Sequence, residues 1–276
     1  MSRAPDPAGE PAAPPAPSLL TRLATANLVV QIGIVVTGGL VRLTGSGLGC
    51  PTWPQCVPGS YTPVAEPALG WHQQVEFGNR MLTGVLVAVA VATSLAAWRQ
   101  VRATGTGAGP LLWLGLAPSG GVLAQILLGG VTVLTDLNPA TVAGHFLLSM
   151  ALVAAATALH VLTRPAEPGP EAPTALRGLV LGLVAVTGLV LILGTVVTGS
   201  GPHAGDATRA VRFGLDPRAM SWAHADAVWL FTGLAVAVLP ALRLAGAPRR
   251  ARRAALRLLG VLAAQGVVGY LQYATG

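Results

Sequence analysis

The chain has 276 residues, 53% of them hydrophobic and only 10% charged, less than half the charge of an ordinary soluble domain at about 25%. That composition excludes a water-soluble globule and points to a protein solvated by lipid. The formal net charge is +7 and no basic residue is Lys. The arginines flank apolar runs instead of forming one polar face, which excludes a nucleic-acid binder and leaves membrane-orienting charge.

Residues 1–21 are rich in Pro and Ala. They hold too little apolar surface to offset their ordering entropy and are expected to form a disordered cytoplasmic tail. A cleavable signal peptide is not expected, because the tail is long and polar and the next apolar run is of full membrane length. Seven apolar stretches follow, over about Leu23–Leu43, Gln74–Trp98, Leu111–Leu134, Ala140–Leu162, Leu179–Thr198, Met220–Leu242 and Leu256–Tyr273. Each suffices, or nearly so, to cross about 30 Å of hydrocarbon. Lipid forces the backbone to satisfy its own hydrogen bonds, so they are expected to be helices; the short alternating strands of a membrane barrel are absent.

Arginines cluster after the second stretch (Arg99, Arg102), between the fourth and fifth (Arg164, Arg177) and between the sixth and seventh (Arg243, Arg249, Arg250, Arg252, Arg253, Arg257). These connections are expected to face the cytoplasm with the N-terminus, so the loop holding Cys50 and Cys56 faces out of the plasma membrane. Arg209, Arg212 and Arg218, beside Asp206 and Asp216 after the fifth stretch, run weakly against this.

The halves of the chain resemble each other. Val36-Thr37-Gly38-Gly39 leads to Thr44-Gly45-Ser46-Gly47, and Val196-Val197-Thr198-Gly199-Ser200-Gly201 closes the fifth stretch. Gln125-Ile126-Leu127-Leu128-Gly129 is echoed by Gln265-Gly266-Val267-Val268-Gly269. The expected architecture is all-α: two pseudosymmetric four-helix bundles around sites, with Gly129, Gly130 and Gly269 allowing close helix approach. The boundaries read as a tail to 21, an N-terminal half over 22–163, a cytoplasmic linker over 164–178 and a C-terminal half over 179–276. The register from Gln125 to Gln265 puts the counterpart of His145 just past residue 276, so an eighth helix with its own His is expected to be missing.

Polar residues inside these runs carry the functional reading. His72, Glu76, Asn79 and Arg80 share one face of the second helix. A mid-membrane charge costs about 3 kcal/mol on insertion scales, so it normally faces a bundle interior and serves function; the plainer reading is a Glu76–Arg80 ion pair that orients the helix. His145 and His224 fall in corresponding regions of the repeat, and imidazole is a standard axial ligand of haem iron; the plainer reading is a hydrogen-bonded interior His. Asp226 is a candidate for proton handling. His160 and His203 read as solvated, and Gln125 and Gln265 as interhelical hydrogen-bonding residues. An oxidising outer compartment favours a Cys50–Cys56 disulfide, either a staple or a redox pair.

The run Val41-Arg42-Leu43-Thr44-Gly45-Ser46-Gly47-Leu48-Gly49-Cys50-Pro51-Thr52-Trp53-Pro54-Gln55-Cys56 resembles the signature of the haem A synthase family, in its bacterial, disulfide-containing type. The resemblance implies oxidation of the C8 methyl of haem O to a formyl group, giving haem A for cytochrome c oxidase. It implies an oxidoreductase of eight helices, with haem b as cofactor in the C-terminal half and substrate haem O in the N-terminal half. Glu76 matches the catalytic Glu, with His145, Asn79, Arg80 and His72 as substrate-haem contacts. His224 matches an axial ligand of haem b iron, and His145 a further iron ligand. Haem O synthase, an electron donor of unknown identity and membrane lipid are the implied partners, and homo-oligomers stay open. This chain has Asn79 where the family pattern has His three residues after the Glu, and Asn is a poor iron ligand; His72 would substitute only for a haem nearer the outer surface. The absent eighth helix would remove one axial ligand of haem b. Two alternatives stand beside this reading. A b-type cytochrome carrying electrons from quinol would need the same His but not Glu76. A secondary transporter would suit the repeats and buried charge.

Overall fold

The computed structural model describes residues 17–64, 69–105, 107, 109–167, 169–202, 205–206 and 211–275. Among these, seven helices are long and apolar enough to cross a membrane, and there is no β-strand. They are α1 (Leu19–Leu43), α2 (His72–Thr104), α3 (Pro110–Leu134), α4 (Pro139–Leu162), α5 (Thr174–Ser200), α6 (Pro217–Leu244) and α7 (Arg249–Thr275). Most of the expected tail, with His203 and Arg209, lies outside the described residues.

The seven apolar stretches are the seven helices, but nearly every helix overruns its stretch. Ser18 caps α1, its hydroxyl accepting from the Thr21 amide at 3.2 Å, so the helix starts inside the expected tail. Arg99 and Arg102 lie in the last turns of α2, Arg177 in α5, and Arg249 to Arg257 on the first turns of α7. Hydropathy marks only the part of a helix that meets hydrocarbon. The backbone hydrogen bonds continue into the headgroup region, where arginine is well solvated. At 1.5 Å per residue, the 27 residues of α7 reach about 40 Å, roughly 10 Å beyond the hydrocarbon.

Helices α1 to α4 close on themselves, α1 touching both α2 and α4. Their core is Leu86, Ala90 and Val122, with Val30, Ile34 and Ile126 against it. Helices α5 to α7 pack around Leu176, Leu183, Ala235, Val238, Leu242 and Ala255. Helix α4 joins the groups by packing on α5. On the cysteine-bearing side, Arg42 Nη2 donates to the Thr198 carbonyl at 2.8 Å and the Gly47 amide to the Gly205 carbonyl at 3.0 Å. The two sequence echoes, at the ends of α1 and α5, therefore meet in space.

Helix α1 ends in a Schellman turn. The Ser46 amide donates to Val41 and the Gly45 amide to Arg42, with Gly45 at φ +64°. That left-handed residue turns the chain back over the bundle, and glycine adopts it without a Cβ penalty. The site begins there.

Candidate functional site

Residues 44–64 form a cap that lies on the first turns of α2. Cys50 and Cys56 are disulfide-bonded and buried, with Val57 beside them and Leu69 and Phe77 packed on the cluster. Gly49 sits directly on α2: a Cβ there would lie 2.3 Å from the His72 carbonyl oxygen. Trp53 lies across α3 at Gly130, where a Cβ would come within 2.6 Å of the indole. Buried Ser46 shares hydrogen bonds with Thr44 Oγ1 (2.8 Å) and His72 Nδ1 (2.9 Å), and His72 stacks on Trp71. The irregular motif is thus a folded lid seated on α2 and α3 through close contacts at glycines, the Ser46 hydroxyl and the Trp53 indole.

Glu76 and Arg80 hold this lid from below. The buried Glu76 carboxylate accepts from the Cys50 amide at 2.5 Å and from Arg80 Nε and Nη2 at 3.1 and 2.6 Å. Arg80 donates onward to the carbonyls of Cys50 (2.8 Å), Thr52 (3.1 Å) and Gln55 (3.2 Å). The i,i+4 ion pair weighed above therefore forms, and the pair also positions the disulfide loop. Both residues lie within the first three turns of α2, near the cysteine-bearing end and just under the lid.

Asn79, one turn below Glu76, accepts from Thr37 Oγ1 of α1 at 2.8 Å. His145, on α4, packs against α3: a Cβ on Gly129 would lie 3.2 Å from its Cε1. The same arrangement recurs on α6, where a Cβ on Gly194 of α5 would lie 3.3 Å from His224 Cε1. The buried Nδ1 of His145 has no hydrogen-bond partner in the protein. Gln125 Nε2 donates to the His145 carbonyl (3.0 Å) and Ser149 Oγ (2.6 Å), tying α3 to α4 at the imidazole. In both seats the glycine makes room for the imidazole itself, whose Cε1–Nδ1 edge packs on the neighbouring helix, and two imidazoles held in this way are a donor type that fits haem iron.

Other expectations fare differently. Gln265 and Asp226 are exposed. His160 is a tie between helices rather than a solvated residue: its Nδ1 shares a 3.0 Å hydrogen bond with Thr25 Oγ1 of α1. Sequence reasoning passed over Arg42, which links α1 to α5, and over Asn27 and Gln31. These two amides sit one turn apart on α1, fully or nearly fully buried. Both polar atoms of Asn27 and the Nε2 of Gln31 have no partner in the protein. Their signal was two amides at i,i+4 inside an apolar run. A groove of about 630 Å³ between α3 and α4, lined by Leu114, Ala154 and Val161 among others, is apolar and lies more than two turns from His145.

Fold and site together define a polytopic helical membrane protein with a disulfide-stapled lid over a buried ion pair and glycine-seated histidines in both halves. The chain belongs to the COX15-CtaA family, described as cytochrome oxidase assembly protein, whose model matches residues 21–276. Among curated relatives it is 32% identical over 292 aligned positions to the Heme A synthase of Bradyrhizobium sp. (strain ORS 278), covering 86% of this chain and 78% of that one. It is 37% identical over 107 residues to the Heme A synthase of Geobacillus thermodenitrificans, covering 38% of this chain and 30% of the relative. With that of Bacillus pumilus it shares 30% over 144 residues, covering 52% and 44%. In the last two matches the chain spans less than half the relative's length.

Proposed function

We propose that this chain is an oxidoreductase that converts the C8 methyl of haem O to the formyl group of haem A, for cytochrome c oxidase. The observation that carries the proposal is the repeated seat of His145 on Gly129 and of His224 on Gly194. Family membership and the names of the relatives support it. In this reading residues 22–163 bind haem O, with His145 as the contact nearest the iron, and residues 179–276 hold haem b, with His224 as an axial ligand. Bound haem supplies the redox chemistry. The chain supplies orientation and a proton acceptor. Glu76 is the proposed acceptor, placed under the lid by the Cys50 amide and Arg80. Asn79, Arg80 and His72 line the same face of α2 and fix its position against α1 and the lid. The arginine-bearing ends face the cytoplasm and the lid faces outward, as the positive-inside bias favours.

The test is complementation of a bacterium lacking its own haem A synthase, with extracted haems separated by chromatography. Wild type restores haem A, and Glu76→Gln leaves haem O to accumulate. Haem O persisting beside correctly inserted wild-type protein would refute the function. Full haem A output from Glu76→Gln would remove Glu76 from the chemistry.

A further inference from the structure

At the end of the molecule away from the lid, four arginines line one cleft. It has a volume of about 200 Å³ and is lined by Arg243 of α6, by Arg249, Arg252 and Arg253 of α7, and by Leu239 and Leu256. Positions 249, 252 and 253 are spaced i, i+3, i+4, so they share one face of α7. Arg250, between them, points elsewhere: its amide donates to Glu167 Oε2 at 3.1 Å, its Nη1 donates to the Pro165 carbonyl, and its Nε lies 3.6 Å from Glu167 Oε1. The helix thus divides its arginines. Of its five, Arg250 ties the linker down, Arg249, Arg252 and Arg253 line the cleft with Arg243, and Arg257 lies outside it; no carboxylate is among the lining residues.

Orientation by positive charge explains why arginines occur at this end, but not why those of two helices share one cleft. Gathering like charges costs energy unless an anion lies between them. The cleft also has a depth and a floor. Helix α7 is long enough to carry its first turns into the headgroup layer, and Leu239 and Leu256 give the cleft an apolar wall beside the arginines. An anion here would have its charge among the guanidiniums and its apolar part against leucine. Guanidinium forks match phosphate oxygens bidentately.

We propose that this cleft is a binding site for the phosphate headgroup of an anionic phospholipid, best filled by a diphosphatidyl headgroup such as that of cardiolipin. The site does not depend on the haem reading.

The experiment titrates the purified full chain in detergent with cardiolipin, phosphatidylglycerol, phosphatidylcholine and inorganic phosphate, counting bound adducts by native mass spectrometry. The expected result is one saturable cardiolipin adduct at least tenfold tighter than phosphatidylcholine. Arg249→Gln/Arg252→Gln/Arg253→Gln should weaken it at least tenfold, and the matching Lys variant by less. The charge control Arg22→Gln/Arg99→Gln/Arg164→Gln removes as much charge from the same end outside the cleft and should bind as wild type. Equal loss in the control, or retention in the cleft variant, would overturn the proposal. So would saturation by inorganic phosphate at the concentration at which cardiolipin saturates, which would assign the site to the free ion. Circular dichroism and helix content are compared for every variant, so that misfolding is not read as lost binding.

Discussion

Arg80→Ala removes the centre of the lid's attachment. Five hydrogen bonds go at once: two to Glu76 and three to the carbonyls of Cys50, Thr52 and Gln55. Each bond involving a charged group contributes about 1.5–3 kcal/mol net, but such values do not add within one network. Deleting one member of a buried ion pair costs about 3–5 kcal/mol, because the other charge is left uncompensated. The Arg80 side chain keeps 21% of its exposure and the Glu76 side chain 7%, so the lower end applies. The Cys50 amide still bonds the carboxylate. About 3 kcal/mol corresponds to roughly a hundredfold rise in the population with the lid detached. Protease cleavage within residues 44–64, measured in detergent under conditions where closing outpaces cutting, reads that population directly. Adding Glu76→Gln should recover part of the loss, since no buried charge then lacks a partner. An Arg80→Ala protein cut at the wild-type rate, or a double variant whose loss is the sum of the single losses, would refute this account of the lid.

Further outcomes follow from single contacts. Gly49→Ala, whose Cβ would meet the His72 carbonyl at 2.3 Å, should lift the lid as strongly as Arg80→Ala in the same assay, while Gly45→Ala should act through turn strain alone and by about 1 kcal/mol. Cys50→Ser/Cys56→Ser opens a short ring and should cost about 2 kcal/mol on the loop-entropy account; the lid should become protease-sensitive without loss of the Glu76–Arg80 pair. Gln125→Leu breaks the α3–α4 hydrogen bonds beside His145, and in membranes such bonds contribute about 0.6–1.7 kcal/mol. The apparent Tm in detergent should fall by a few degrees, and haem A output should fall further than stability does, because Gln125 holds the His145 turn of α4 in place.

The sequence showed the helices because lipid imposes a length and a polarity that a hydropathy window measures directly. It showed the repeat through Thr-Gly-Ser-Gly and Gln-x-x-x-Gly echoes, and the structure brings the first pair together at Arg42 and Thr198. It named Glu76, Arg80, His145 and His224 because charged or titratable residues inside apolar runs stand out. The partners of Arg80 were not legible, since they are backbone carbonyls of a loop whose path no side-chain pattern encodes. Helix ends were read short wherever arginine-rich turns continued past the hydrocarbon, as in α2 and α7. Asn27 and Gln31 were missed because the reading singled out charged and titratable residues, although a buried amide without a hydrogen-bond partner is itself costly. Glycine seats such as Gly129 and Gly194 become visible only when the opposing imidazole is in place.

Imidazoles that hold porphyrin iron are the centre of the proposed function, and an absorption spectrum of the full chain purified from haem-replete cells tests that most directly. Wild type should carry a Soret band and a reduced b-type α-band, and His224→Ala should lose or shift the α-band while the protein stays folded. A folded wild-type protein with no haem absorption, or a His224→Ala spectrum identical to wild type, would contradict it.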